Sequence, residues 1–335
     1  MSRLIASSRF RLPGLPRRRP TLEVHVPMSP TPSFLYQLRC LTHSLRRFGG
    51  AYRDSPVIAT VGGNPVDERL ADRMPWLAAN GIELRWVPAD DFAAWGAPIT
   101  VDFRLKHAYR SDVVLLLDAD TLIRRPLDDL IERVHRDRVL AGTIAHASPL
   151  PHGKLARPDW AHLFALCGLP ERRLEYEHTG WGYMSDNPDH RYCPAYFNYG
   201  VIAAPSAMVS RIGEVSKTFL IRLTETMASH FDAQIAFAMA IARVGAPVLP
   251  LPLRYNMPNN PYLEALHHTE VEHATVLHLL AELHFRRTET FASLASLKAF
   301  AARPDLRVVS GMAQEIIRAI LPDLISEESS DVIAA

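Results

Sequence analysis

The apolar run VVLLL at 113–117, which leads directly into Asp118-Ala119-Asp120, decides the fold. A strand with one face in water alternates apolar and polar residues. A continuous apolar run is instead typical of a strand buried on both faces, as in the centre of a parallel sheet. This run therefore predicts a central strand whose carboxyl end is acidic.

Three β-prone segments precede the central strand, at 22–26 (LEVHV), 56–61 (PVIATV) and 82–87 (IELRWV). Stretches with helical apolar spacing separate them, so four strands and their crossovers fit within about a hundred residues. Such alternation is typical of right-handed βαβ units. We predict an α/β fold with a doubly wound, mostly parallel sheet, which binds ligands at the carboxyl ends of its strands.

The same periodicity places the other elements. Helices are predicted over 34–48, 67–79, 103–109, 160–167, 212–227 and 231–244, and two later strands over 195–204 and 247–253. The chain is then divided into a basic, disordered tail (1–20), an α/β domain (21–287) with an insertion or lid (150–195), C-terminal helices (288–325) and an acidic tail (326–335).

Composition excludes several classes of protein. The chain has 335 residues, 48% of them apolar and 22% charged, which is enough to bury a full core and rules out global disorder. A net charge of +1 does not favour nucleic acid as a partner. Three cysteines without C-x-x-C spacing favour a reducing compartment, and we expect a cytoplasmic protein.

The first twenty residues contain six arginines and no acid. They lack the apolar stretch of a signal peptide, and no segment of the chain is apolar enough to predict a membrane span. We interpret this segment as a solvated basic tail. The alternative is a weak contact with an anionic membrane surface or an acidic partner.

Asp118 and Asp120 follow the central strand immediately. Two carboxylates at a strand end form a concentrated negative site that suits a divalent cation. Such a cation can also bridge to a diphosphate and neutralise its charge. The alternative is an ordinary polar loop, in which one of the two acids caps a helix.

The segment VVLLLDADTLI at 113–123 resembles the metal-binding motif of nucleotide-sugar glycosyltransferases of the GT-A fold. It is most similar to the retaining family 8, which includes glycogenin and lipopolysaccharide hexosyltransferases. Three further segments, FNYGV at 197–201, LPLPLRYN at 249–256 and ATVLH at 274–278, resemble later motifs of that family in the same order. The resemblance covers roughly residues 22–285.

The resemblance implies metal-dependent transfer of a sugar from a nucleoside diphosphate sugar, a UDP-hexose, to an acceptor hydroxyl with retention of configuration. Asp118, Asp120 and His278 would bind Mn²⁺ or Mg²⁺, and a histidine beside two carboxylates suits Mn²⁺ better. Donor binding is assigned to Arg104 or Lys106 and to Asp118. It is also assigned to three residues of the later motifs: Asn198, Gly200 and Asn256.

Two positions depart from the family pattern. The family's adjacent Asp-Gln pair is here Asp232-Ala233-Gln234, to which we assign the catalytic role of steadying the positive sugar ring. The family's closing lysine is missing after His278, and Arg286 or Arg287 is expected to replace its charge.

Other functions stay open at this point. A catalytically inactive glycosyltransferase-like binding module is the main alternative. A phosphohydrolase of the haloacid dehalogenase type needs D-x-D-x-T, but Leu122 stands in the fifth position. The aromatic insertion, with Trp181, Tyr183, Tyr192 and Tyr196, forms either an acceptor wall or the small core of a lid.

Overall fold

The computed structural model describes residues 18–63, 65–67, 69–149, 159–183, 188–227 and 229–334. Most of the predicted basic tail (1–17) and two parts of the predicted lid (150–158 and 184–187) lie outside the described residues. The strands are β1 (Leu22–Met28), β2 (Val57–Val61), β3 (Ile82–Trp86), β4 (Val113–Leu117), β5 (Thr121–Ile123), β6 (Leu140–Ile144), β7 (Tyr176–Glu177), β8 (Tyr192–Cys193), β9 (Phe197–Pro205), β10 (Val248–Pro250), β11 (Met257–Pro258) and β12 (Val276–His278).

Helices surround these strands. They are α1 (Pro32–Phe48), α2 (Pro75–Ala79), α3 (Ala89–Trp95), α4 (Ala97–Phe103), α5 (Asp128–Asp137), α6 (Trp160–Leu166), α7 (Ser206–Thr226), α8 (Asp232–Val244), α9 (Pro261–Leu266), α10 (His268–Val271), α11 (Arg287–Thr290), α12 (Leu294–Ala302) and α13 (Val308–Ala334). None of the helices in the described part of the chain has the length and apolar character needed to cross a membrane.

The seven-stranded main sheet has the order β10-β6-β9-β4-β1-β2-β3. Strands β3, β2, β1 and β4 are parallel to one another, and β9 is antiparallel to both of its neighbours, β4 and β6. The predicted mostly parallel α/β sheet is confirmed. Because β9 runs in the opposite direction, its first residues lie at the edge where the parallel strands end.

The sheet is covered on both faces, as the apolar run predicts. All five residues of β4 are buried. One apolar core lies between the sheet and α7 and α8, and a second lies between the sheet and α1 and α5. This double burial makes β4 a central strand and places Asp118 at the mouth of the fold.

A second, three-stranded sheet has the order β11-β12-β5. A third apolar core joins it to α12 and α13 and includes Leu277, Leu297 and Ile317. The C-terminal helices therefore pack behind the strand that ends in His278.

Three predicted elements differ from the structure, and proline or a tertiary contact explains each difference. The helix predicted over 67–79 is shortened to α2, which begins at Pro75, and Glu68 at its predicted start lies outside the described residues. The predicted helix 103–109 is wrong: α4 ends at Phe103, and the Tyr109 hydroxyl donates to the Arg104 carbonyl in the following loop. The predicted strand 247–253 is reduced to β10, because its prolines donate no hydrogen bonds.

The final helix, α13, runs to Ala334, through the segment predicted as an acidic tail. Contacts of Glu327 hold this end of the helix against the rest of the fold. Its carboxylate accepts from Arg39 Nε at 2.7 Å and from Asn80 Nδ2 at 2.6 Å, and lies 3.0 Å from His43 Nε2. Burial opposes ionisation, but these donors outweigh it and lower the pKa of Glu327 to about 2.

We therefore expect Glu327→Gln to destabilise the protein by about 1.5–3 kcal/mol, as measured by urea unfolding at neutral pH, because it removes hydrogen bonds to a charged acceptor. A depressed carboxyl pKa stabilises the fold above the unfolded-state pKa, and this stabilisation is lost as the pH falls toward about 2. Asp323→Asn, on the same helix and 4.0 Å from Arg47, is the control, with an expected loss below about 1 kcal/mol. Equal losses would contradict the role given to Glu327.

Candidate functional site

The antiparallel direction of β9 brings two separate sequence motifs together. Leu117, the last residue of β4, pairs with Val201 of β9, and the Asp118 amide donates to the Gly200 carbonyl at 3.3 Å. Asn198 therefore lies beside the acidic strand end, although 80 residues separate it from Asp118 in the chain.

The small sheet brings His278 to the same place. In the antiparallel pairing of β12 with β5, His278 lies opposite Thr121, and the Leu279 amide donates to the Asp120 carbonyl at 3.0 Å. His278 Nε2 lies 3.2 Å from Asp120 Oδ1 and 3.8 Å from Asp118 Oδ2. The three predicted metal ligands thus converge in the structure.

These three side chains fit a divalent cation. One ligand atom from each lies within 4.8 Å of the other two. Two carboxylates with one imidazole form a mixed O,O,N donor set of the kind that binds divalent metal ions. The imidazole is also oriented correctly: Nδ1 is 2.9 Å from Asn256 Oδ1, an acceptor, so Nδ1 carries the proton and Nε2 faces the carboxylates.

Asn256 and Gly200, both predicted to bind substrate, lie against His278 in the structure. Asn256 is fully buried and also donates from Nδ2 to Asn198 Oδ1 at 2.9 Å. A Cβ atom at Gly200 would lie 2.2 Å from His278 Nδ1 and 2.4 Å from Asn256 Oδ1. Glycine is therefore required here by close approach of the imidazole.

Burial and charge pairing within the site together shift the pKa of each ligand. Burial raises the pKa of Asp118 above its usual value, partly opposed by Arg104. Burial also acts to raise the pKa of Asp120, but His278 and Arg287 outweigh it and hold this pKa below its usual value. Burial would lower the pKa of His278, yet the neighbouring carboxylates raise it. Because a histidine ligand must be neutral, the raised pKa of His278 opposes cation binding at low pH.

The structure distinguishes Arg104 from Lys106, which the sequence could not. Arg104 Nη1 donates to the Leu117 carbonyl at 3.1 Å and lies 3.6 Å from Asp118 Oδ1, and its guanidinium lies 5.0 Å from the centre of the Tyr199 ring. Lys106 is instead paired with Asp102, at 3.6 Å. Arg104 is only 1% exposed, so in this conformation it supports Asp118 from behind.

Arg287 and Arg286 are likewise separated by the fold. Arg287 Nη1 donates to Asp120 Oδ2 within the site. Arg286 points outward, with its side chain 70% exposed, and pairs with Glu289 at 3.2 Å. Of the two arginines expected to replace the family's lysine, Arg287 is the one at the carboxylates.

Two cavities meet at Asp118. One, of about 320 Å³, is lined by Met28 and Ser29 at the end of β1 and by Asp120 and Arg287. The other, of about 530 Å³, is lined by Asn198, His278, Asp232 and Gln234 among others. The predicted catalytic pair therefore lies in the second cavity. Asp232 is 1% exposed there, and its Oδ2 accepts from the Ser229 amide at 3.0 Å.

Among the described residues, a second group of potential metal ligands consists of Glu23, His25 and His107. Arg85 donates to His107 Nδ1, and this fixed cation disfavours a metal. Glu23 Oε1 instead accepts from the Arg110 amide at 2.8 Å and so holds the loop that carries Arg104. Sequence analysis missed this role, because nothing in the local pattern links Glu23 to residue 110.

The predicted aromatic wall is only partly exposed. Tyr183 and Tyr192 are each 41% exposed, whereas Tyr196 is fully buried beside Trp160 and belongs to the core, so its assignment to the wall is wrong. Tyr183 stacks on Tyr262 with ring centres 4.1 Å apart. Tyr262, 55% exposed on α9, was missed because it lies outside the insertion.

Comparison with solved structures identifies the architecture. The galactosyltransferase LgtC, solved with donor and acceptor sugar analogues, is similar over 89% of this chain and 96% of its own, with 16% identity and a TM-score of 0.53. The chain has the GT-A fold. The bifunctional glycosyltransferase WbbM (15% identity, 80% of this chain and 47% of that one, TM-score 0.48) is also similar, as is the glycosyltransferase GlyE of Streptococcus pneumoniae TIGR4 (16% identity, 92% of this chain and 64% of that one, TM-score 0.47). No protein-family model and no curated protein sequence matches the chain.

Proposed function

We propose that this GT-A protein transfers a sugar from a UDP-hexose to an acceptor hydroxyl, with Mn²⁺ and with retention of configuration. One observation carries the proposal: Asp118, Asp120 and His278 converge where two cavities meet. A nucleotide and a sugar joined by a diphosphate match this arrangement, with one part in each cavity. Retention is proposed from the family resemblance.

In this proposal, some residues of the chain hold the cation and others orient those ligands. Asp118, Asp120 and His278 Nε2 would hold the cation, which would supply positive charge to balance that of the leaving diphosphate. Arg104 favours the ionised form of Asp118, against the effect of burial, and orients the carboxylate through the 3.6 Å ion pair.

The larger cavity is proposed for the transferred sugar. Asn198 and Gln234 line it and are partly exposed, so their amides can bind sugar hydroxyls or a ring that becomes positive in the transition state. Asp232 adds negative charge to the same wall. Burial raises its pKa, opposed by the Ser229 amide, so Asp232 is better suited to positioning than to acting as an exposed nucleophile.

A screen of UDP-sugars tests the proposal. Thermal melting with and without Mn²⁺ identifies a donor, because a ligand that binds only the native state raises the melting temperature. Release of UDP in the presence of sugar acceptors then measures turnover. Binding without turnover would favour the inactive binding module, and absence of both would contradict the proposal. The GT-A fold leaves the phosphohydrolase alternative without support.

The stacked tyrosines are proposed as part of the acceptor wall. Tyr262 is the second residue of α9, shortly after β11, which pairs with the strand that ends at His278. We expect Tyr262→Ala to raise the acceptor KM by about threefold to tenfold, because an aromatic face is lost, and to leave the donor KM unchanged. Leu266→Ala, on the same helix and 48% exposed, is the control. Equal effects of the two changes on the acceptor KM would contradict a specific contact.

A further inference from the structure

Arg287 lies at a position where it would contact both a bound cation and a bound anion. Its Nη1 donates to Asp120 Oδ2, its Nε lies 3.5 Å from Glu282 Oε1, and it lines the smaller cavity with Ser29 and Thr288. The side chain is 30% exposed, so it is accessible from that cavity.

The ion pair between Arg287 and Asp120 opposes the binding of a divalent cation in the absence of a diphosphate. Asp120 is nearly buried and already has His278 at one oxygen and Arg287 at the other. A divalent ion bound to Asp120 would face the guanidinium at close range, and like charges in a poorly solvated site repel strongly. The ion must therefore displace Arg287 before it gains both carboxylates.

A diphosphate removes this conflict. Its oxygens bind the metal, and the guanidinium pairs with phosphate at least as well as with a carboxylate, since its planar donors match both groups. Glu282, with its side chain 45% exposed, offers Arg287 a second anionic neighbour on the cavity side. Arg287 can thus leave Asp120 without losing every anionic neighbour.

We propose that Arg287 is an internal competitor for the divalent cation, and that it leaves Asp120 when a nucleoside diphosphate enters. The metal and the diphosphate then bind cooperatively, and each tightens the binding of the other by the same factor. This inference rests on the proposed function, because it takes the site to bind a nucleoside diphosphate.

Manganese titrations followed by electron paramagnetic resonance of the free ion test the inference, with and without UDP. In Arg287→Gln we expect Mn²⁺ alone to bind about tenfold more tightly than in the wild type, and the tightening caused by UDP to shrink by a similar factor. Arg287→Lys keeps the charge, so Mn²⁺ alone should still bind weakly. Unchanged Mn²⁺ affinity and unchanged coupling in Arg287→Gln would overturn the inference.

Arg286→Gln is the matched control. It removes the same charge one residue earlier, where the side chain pairs with Glu289, and both its Mn²⁺ affinity and its coupling should equal those of the wild type. Sugar transfer with unchanged coupling in Arg287→Gln overturns only the role of Arg287. Intact coupling without transfer to any acceptor overturns only the proposed transferase. Failure of the wild type to bind either ligand overturns both.

Discussion

Asp120→Asn is expected to abolish measurable Mn²⁺ binding and to reduce sugar transfer by about 10²–10³-fold, the loss typical when one electrostatic contact to the transition state is removed. Asp120 is the acceptor shared by His278 and Arg287, so its carboxylate holds both side chains in the site. Asparagine keeps the shape of the side chain but removes the negative charge that attracts the ion. Calorimetric Mn²⁺ titration and UDP release measure the two effects.

The substitution also leaves His278 and Arg287 without their common anion, so the fold must be checked by circular dichroism. Asp305→Asn is the control, because Asp305 pairs with Arg303 on the surface and lies outside both cavities. It should bind Mn²⁺ as the wild type does. Full transfer activity in folded Asp120→Asn would remove the metal from the mechanism.

Gly200→Ala is the second change with a large expected effect. The new methyl group would lie 2.2 Å from His278 Nδ1 and 2.4 Å from Asn256 Oδ1, so the imidazole and its amide partner must move apart. Loss of this orientation should weaken Mn²⁺ binding by about 10–100-fold. The added volume should also destabilise the fold by about 1–3 kcal/mol. Mn²⁺ titration and urea unfolding measure the two effects.

A double-mutant cycle with His278→Ala separates displacement of His278 from general damage. If the methyl group acts through the imidazole, Gly200→Ala costs no further Mn²⁺ affinity once His278 is gone. Additive losses would show that the methyl group acts elsewhere in the site.

The sequence predicted the fold best where burial alone determines structure. The apolar run of β4 can form all its backbone hydrogen bonds and bury both faces only in the centre of a sheet. The structure confirms that β4 has this position. The carboxylates that follow it are adjacent in the chain, so local sequence is enough to suggest a cation site. The order of the family-like motifs along the chain added Asn198 and His278 to the predicted site, and the structure brings both residues to the same edge of the sheet.

Roles that depend on side-chain direction could not be predicted in this way. Arg104 and Lys106 are two residues apart and chemically alike, yet one faces Asp118 and the other Asp102, because α4 ends at Phe103 and the chain turns. Arg286 and Arg287 differ for a similar reason, since neighbours at a helix start point in different directions. Only the surrounding packing decides which of them reaches the carboxylates.

By itself, the sequence determined the layered α/β architecture and the acidic end of its central strand, because both follow from local hydrophobicity and spacing. Tertiary structure decided which distant groups meet there. The reversed β9 brings Asn198 and Gly200, β12 brings His278, and the chain beyond β12 brings Arg287. These contacts span 80 to 167 residues, and they form because strand pairing and core burial fix the ends of separate elements at one edge of the sheet.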